Sequence, residues 1–141
     1  MVVCMRHWAL GYIGLPWVAM GRGVQGFDCY GLFMRVQKLY FGVDVPDIGI
    51  DPSIDVIGKL RAFKHHKEFS HWRVVVEPIE GDAVMMGNGR AVSHIGVYLA
   101  VDGGGVLHCD DIGGVQFTPH GGFGGHENNY EILKYLRHET K

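Results

Sequence analysis

No stretch of this sequence approaches the ~20 consecutive apolar residues of a membrane-spanning helix. A secretion signal is not expected either: Met1-Val2-Val3-Cys4-Met5 runs at once into Arg6 and His7, before a useful apolar run can form. The product is therefore expected to start in the cytoplasm, and a substrate outside the cell would need something else to carry the protein there. Basic charge is not in excess. The net charge of −2 offers no surface for phosphate backbones, so nucleic acid is not an expected partner. Cysteine is scarce and odd in number, with Cys4, Cys29 and Cys109 far apart. That argues against a disulfide framework and for a reducing compartment or a reactive thiol. Two closely spaced pairs of Cys or His ligands are also absent, so no zinc site is expected. His65, His66 and His71 cluster among Lys64, Lys67 and Glu68 and read as a solvated face. Repeats, low-complexity tracts and interdomain linkers are lacking.

What is there suits one domain, 1–141. A chain of 141 residues with 47% hydrophobic content can build a real core without disulfide support. The pattern predicts a short helix over 3–14, ended by Gly14 and Pro16, and then a glycine-rich loop over 21–26. The clearest element follows. Cys29, Leu32, Phe33, Val36, Leu39 and Tyr40 share one stripe at helical spacing, while Arg35 and Lys38 lie off it. Asp28 is a good N-cap for that helix and Gly42 a good stop. The stretch 43–69 is ambiguous: it holds turn chemistry at Asp44-Val45-Pro46-Asp47 and Asp51-Pro52-Ser53, and Ser53 could cap a helix to about Lys67. Valine-rich strands are expected over 72–77, 82–86, 94–100, 106–109 and 114–118, and 130–137 reads as a last strand or a short helix. Helices first and an antiparallel meander afterwards imply an α+β fold, with N-terminal helices packed on a central antiparallel β-sheet. The cysteine helix would lay its stripe on the sheet, and the sheet would present His94 to the helix's N-terminal end.

Asp28-Cys29-Tyr30-Gly31-Leu32 puts a thiol at a helix start, and His94 and His108 follow on strand-like segments. A nucleophile, a base and a group to orient the base are the parts of a cysteine hydrolase. A thiol near pKa ~8.5 is mostly protonated at neutral pH, and a helix N-terminus stabilises its anion by ~0.3–2 kcal/mol. The N–H of Cys29 can hold the oxyanion of a tetrahedral intermediate. Gly31 removes a side chain where another segment must come close. The role of His108 depends on register. If Gly96 pairs with His108, His94 and His108 are diagonal neighbours on one face. If Gly103-Gly104 forms a two-residue turn, His108 falls opposite Leu99 and points away. Asp110 is then the alternative orienting group. Cys109, beside His108, is expected to be buried.

In that order the residues resemble the NlpC-type cell-wall peptidases, papain-like cysteine hydrolases of bacterial peptidoglycan. Gly14-Leu15-Pro16-Trp17, Gly21-Arg22-Gly23 and Gly26-Phe27-Asp28-Cys29 look like the family's lead-in to its nucleophile. Residues 39–46 resemble the end of its cysteine helix and the following loop. Glu80-Gly81-Asp82-Ala83-Val84 looks like its "GD" strand, and Ser93-His94-Ile95-Gly96-Val97-Tyr98 with Val106-Leu107-His108 look like the segments of base and orienting residue.

The resemblance implies Cys29 as nucleophile, His94 as general base and His108 as orienting residue, with no metal or organic cofactor. It implies a substrate-contacting surface drawn from Trp17, Asp28, Tyr30 and Ser93, with Asp28 at the amino end of the substrate peptide. The implied reaction is hydrolysis of a peptidoglycan stem-peptide bond, often that between γ-D-glutamate and a diamino acid. Two departures stand out: Tyr30 fills the slot of a usual serine, and Trp17 that of a frequent tyrosine. Such an aromatic is similar to the phage-tail branch of the family, which implies partners in a phage tail or tail-like particle that acts on the cell wall. An amidase or acyl transferase on the same scaffold, and a non-catalytic tail-tip subunit, are the alternatives.

Overall fold

A computed structural model describes residues 7–23, 25–47, 67–88, 91–123 and 130–141. The helix expected from Ser53 to about Lys67 falls almost wholly outside them, as does Cys4. Helix α1 spans Cys29–Tyr40. Asp28 caps it: the backbone there is extended, and Oδ1 accepts from the Gly31 N–H at 2.7 Å. At the far end Gly42 takes φ +70°, a left-handed turn that costs glycine nothing, and the Val43 N–H folds back to the Gln37 carbonyl at 3.0 Å.

The expected stripe is partly corrected. Cys29, Leu32, Phe33 and Val36 are buried, but Leu39 is 55% and Tyr40 37% exposed, the latter stacked on Trp8. Gln37 is buried instead, donating from Nε2 to the Gly81 carbonyl at 2.8 Å. Over 3–14 the described residues form only a 3-10 helix, Trp8–Gly11. The chain then leaves the helical path to bond a strand, with the Gly14 N–H to Val115 O and the Val115 N–H to Leu15 O, each 2.9 Å. Tertiary capture thus replaces the expected second helix.

Arg22–Gly23 (β1) and Gly26–Phe27 (β2) form a short ribbon leading into α1. The main sheet holds Trp72–Val75 (β3), Ala83–Asn88 (β4), Ala91–Leu99 (β5), Gly105–Asp110 (β6), Gly114–Pro119 (β7) and Glu131–His138 (β8). All pairings are antiparallel and the order is β3-β8-β4-β5-β6-β7. Only β4 to β7 form a meander. The final segment is a strand, and it inserts between β3 and β4. A half-buried ion pair ties it there: Arg137 donates from Nε and Nη2 to the buried Asp82 at 3.0 and 2.8 Å, and Asp82 also accepts from the Ile79 N–H.

Period-two alternation gives the sheet two apolar faces. On one, Ala83, Met85, Ile95, Val97, Leu99, Leu107 and Cys109 join Leu32, Phe33 and Val36 of α1 in the main core. Full burial of side chains such as Phe33 and Val36 stabilises the fold by roughly 1.5–3 kcal/mol each. On the other face Val84, Met86 and Val106 pack with Tyr98, Phe123, Tyr130, Ile132 and Tyr135. The result is an α+β fold built from one α-helix and a large antiparallel sheet, among the described residues.

Candidate active site

Backbone register positions the site. Gly96 pairs with His108 and Tyr98 with Val106, while 100–104 turns the chain with the Gly104 N–H bonded to Val101 O at 2.9 Å. The two-residue turn is not formed. His94 and His108 are therefore diagonal neighbours on one face, and His94 Nε2 lies 2.8 Å from His108 Nδ1. Just before His94 the β4–β5 ladder skips Ser93, pairing Met86 with His94 but Gly87 with Val92. The β4–β8 ladder slips beside it, between Met85 and Met86. Bulges bend strands and re-aim side chains, and these two meet where β5 carries its histidine.

His108 is fully buried, and Thr118 on β7 closes the chain of bonds with Oγ1 2.9 Å from His108 Nε2. Burial pushes the His108 imidazole down to about 4, against a smaller upward pull from Asp110. At neutral pH the ring is neutral, with one nitrogen donating and one accepting. If Nδ1 accepts the His94 Nε2–H, then Nε2–H donates to Thr118. His94 is thereby left with Nδ1 as the nitrogen that can receive a proton.

The depressed value makes stability depend on pH. The unfolded imidazole, near 6.5, binds its proton before the folded one near 4, so stability is full above 6.5 and declines as pH falls towards 4. Thermal or urea denaturation at pH 5 is expected to show a loss of about 2 kcal/mol relative to pH 7 from this group. His108→Gln should remove that part of the decline. An unchanged pH slope in the variant would contradict a neutral buried His108.

Cys29 occupies the first turn of α1, where N–H groups have no partner within the helix and the dipole favours an anion. Its charge bears on two other groups. Cys109 is pushed up to about 12 by burial first and then by Cys29, Asp110 and Asp28. Tyr130 is pushed up by burial and then by Asp110, Cys29 and Asp111. The Tyr130 ring in turn stacks on His94, with centroids 4.1 Å apart and planes 9° from parallel. Cys109 is buried, as expected, and donates from Sγ to Phe27 O at 3.1 Å.

The remaining expected residues fall differently. Asp110 does not orient His94: its Oδ1 accepts from the Ile112 and Gly113 N–H groups and folds the β6–β7 turn. Asp28 is buried, with Oδ1 shared between the Gly31 N–H and Arg22 Nη1, each at 2.7 Å. Its Oδ2 has no hydrogen-bond partner among the described residues. Arg22 also grips Asp47 with Nε and Nη2, at 2.9 and 3.1 Å. Trp17 bridges to Phe27 and is half-buried against the main core. Ser93 is half-buried in the bulge. Tyr30 does not line a cleft. It is 1% exposed, packs near Phe33 and donates its hydroxyl to Pro46 O at 2.9 Å, leaving no surface to offer a substrate.

Sequence reasoning missed Thr118, Tyr130 and Arg22. A signal for Thr118 existed: the Asp110–Gly114 pairing sets His108 opposite Gln116, with Thr118 diagonal on the same face. Tyr130 had none, since its place depends on where β8 inserts. A cleft of about 460 Å³ among Val74, Val75, Val76, Phe123, Ile132 and Tyr135 includes neither Cys29 nor the two histidines. Chemistry, not cavity size, marks this site.

No curated protein matches the chain. The model of the NlpC/P60 family matches residues 14–131, a span that starts in the lead-in to Cys29 and contains His94, His108 and Thr118. With a thiol at a helix start and an oriented histidine pair inside that match, the chain belongs to the NlpC/P60 family, whose members are generally cysteine peptidases acting on peptidoglycan.

Proposed function

We propose that this protein is a cysteine peptidase that cuts a stem-peptide bond of bacterial peptidoglycan, with Cys29 as nucleophile, His94 as general base and acid, and His108 as orienting residue. The observation that carries the reading is the bonded series His94–His108–Thr118, at 2.8 and 2.9 Å, on a face whose His94 is stacked by Tyr130. A base that must accept a proton on Nδ1 needs its hydrogen on Nε2, and the 2.8 Å bond from His94 Nε2 to His108 Nδ1 supports that tautomer.

Each step follows from these groups. The Cys29 thiol proton passes to His94 Nδ1, and the thiolate attacks the substrate carbonyl carbon. A C–S bond forms as the carbonyl electron pair moves to oxygen, where the N–H of Cys29 stabilises the charge. The C–N bond then breaks, and the amine leaves with the proton from His94. Water attacks the thioester, giving its proton to His94 Nδ1. Collapse expels the sulfur, which takes that proton back. The reaction needs no cofactor.

The buried Asp28 Oδ2 supports a cationic contact, because an unsatisfied buried carboxylate oxygen costs about 1–3 kcal/mol or more. The free amino end of a stem peptide would satisfy it once binding opens this corner, since Asp28 is fully buried in the unbound chain. That placement favours the bond between γ-D-glutamate and the diamino acid. The aromatic at position 30 supports the phage-tail or tail-like particle setting, with the tail as the carrier that brings the enzyme to the wall. No helix among the described residues is long and apolar enough to cross a membrane.

Purified protein and its Cys29→Ala variant, incubated with purified peptidoglycan, provide the test, with released fragments identified by mass spectrometry. Fragments from the parent alone, with new amino and carboxyl ends at one stem-peptide bond, are expected. Equal release from both would end the cysteine mechanism. No release from either would favour a non-catalytic tail subunit, and transfer to an added amine in place of water would favour an acyl transferase.

A further inference from the structure

Tyr130 lies just ahead of β8 and reaches across β4 to His94 on β5. Its ring lies flat on one face of the imidazole, at 4.1 Å and 9°, and meets His108 edge-on at 6.3 Å and 88°. His94 and His108 are themselves edge to face at 5.0 Å and 84°. Three rings thus form a corner in which His94 cannot turn without breaking both a flat stack and its bond to His108. We infer that Tyr130 is a positioning residue for His94: its ring fixes the imidazole plane and stabilises the imidazolium form that the thiolate requires. The inference rests on the catalytic reading of His94 given above.

The physical case is a balance of two effects. His94 is 2% exposed, and such burial disfavours a charged imidazole. An aromatic face carries negative charge density that attracts a cation lying on it, and the attraction grows when water is excluded. An aliphatic side chain at 130 would keep the burial and lose the attraction. Met86 of β4 lies opposite His94 and does not titrate. His108 comes from β6 and is neutral, while Cys29 at the start of α1, Asp110 at the end of β6 and Asp111 in the following turn act on Tyr130. Tyr130 itself stays protonated, held up by burial and these acids, so it presents a neutral ring.

Ring ¹³C-histidine NMR, with His94 assigned by its loss in His94→Gln, reads the imidazole directly. Titrations in a Cys29→Ala background remove coupling to the thiol. Tyr130→Leu is expected to lower the His94 pKa by about half a unit or more, and Tyr130→Phe to leave it within about 0.2 unit. With Cys29 intact, the alkaline limb of kcat/KM should move down by the same amount in Tyr130→Leu alone. Tyr130→Met serves in place of Tyr130→Leu if the latter does not fold, judged by thermal melting. A parent-like His94 in the aliphatic variant would overturn the inference. So would a Phe variant that behaves like Leu, since the hydroxyl and not the ring face would then be responsible. The NMR result does not need turnover: a parent that releases no fragments would defeat the functional reading and leave this measurement standing.

Discussion

Replacing His94 with glutamine is expected to lower kcat/KM for stem-peptide hydrolysis by about 10⁴-fold, with the fold retained. Glutamine is close to histidine in length and can still bond His108 Nδ1, so the buried corner loses little packing. It cannot accept the thiol proton, and it cannot return a proton to the leaving amine. Both covalent steps lose their acid–base partner at once. His108→Gln should cost less, on the order of 10²-fold, because His94 keeps its basic nitrogen and loses only its orientation. Steady-state kinetics with a soluble stem peptide checks both values. The rate of iodoacetamide alkylation at Cys29, read by peptide mapping, should fall in parallel in His94→Gln. Cys109, with its thiol pushed up to about 12, is not expected to label at neutral pH. A His94→Gln variant with more than a tenth of parental activity would remove His94 from the base role.

Gly31→Ala is expected to destabilise the protein by about 3–5 kcal/mol, or to prevent folding altogether. A methyl group at position 31 would fall on the carbonyl oxygen of Gly21, which belongs to backbone and cannot swing aside. The same carbonyl accepts from Arg22 Nη1 and from the Asp28 N–H, so moving it would disturb both bonds in the lead-in to Cys29. Gly42→Ala is the contrasting case. There a methyl group meets nothing, and the cost is only the left-handed backbone, about 1–2 kcal/mol. For a chain of this length the first change should lower Tm by roughly 10–15 °C and the second by roughly 3–6 °C. Equal shifts would show that close approach to Gly21 does not constrain α1.

The two histidines illustrate how far local pattern reached. Their presence, and the thiol before them, were plain from residue types and spacing, and so was the fact that one of two registers would join them. Which register formed depended on how 100–104 closes, and Asp102-Gly103-Gly104-Gly105 is compatible with either. Tyr30 shows the opposite outcome. An aromatic in the slot of a usual serine read as part of a substrate-contacting surface, whereas its ring packs inward near Phe33 and its hydroxyl finds Pro46. Direction of a side chain at a helix start depends on the loop that covers it, and that loop arrives from another part of the chain.

By itself the sequence determined helix α1 with its cap and stop, most of the strands and the α+β class, and it set Cys29 at a helix start. These depend on periods of 3.6 and 2 and on turn chemistry among near neighbours, all carried within short windows. Only the tertiary structure decided that β8 inserts between β3 and β4, that Thr118 meets His108, and that Tyr130 covers His94. It also left Leu39 exposed, set Tyr40 on the Trp8 ring and drew 14–15 to β7 in place of a longer helix. Strand order is chosen by competition among whole apolar faces for burial, an energy summed over the fold that no local window contains.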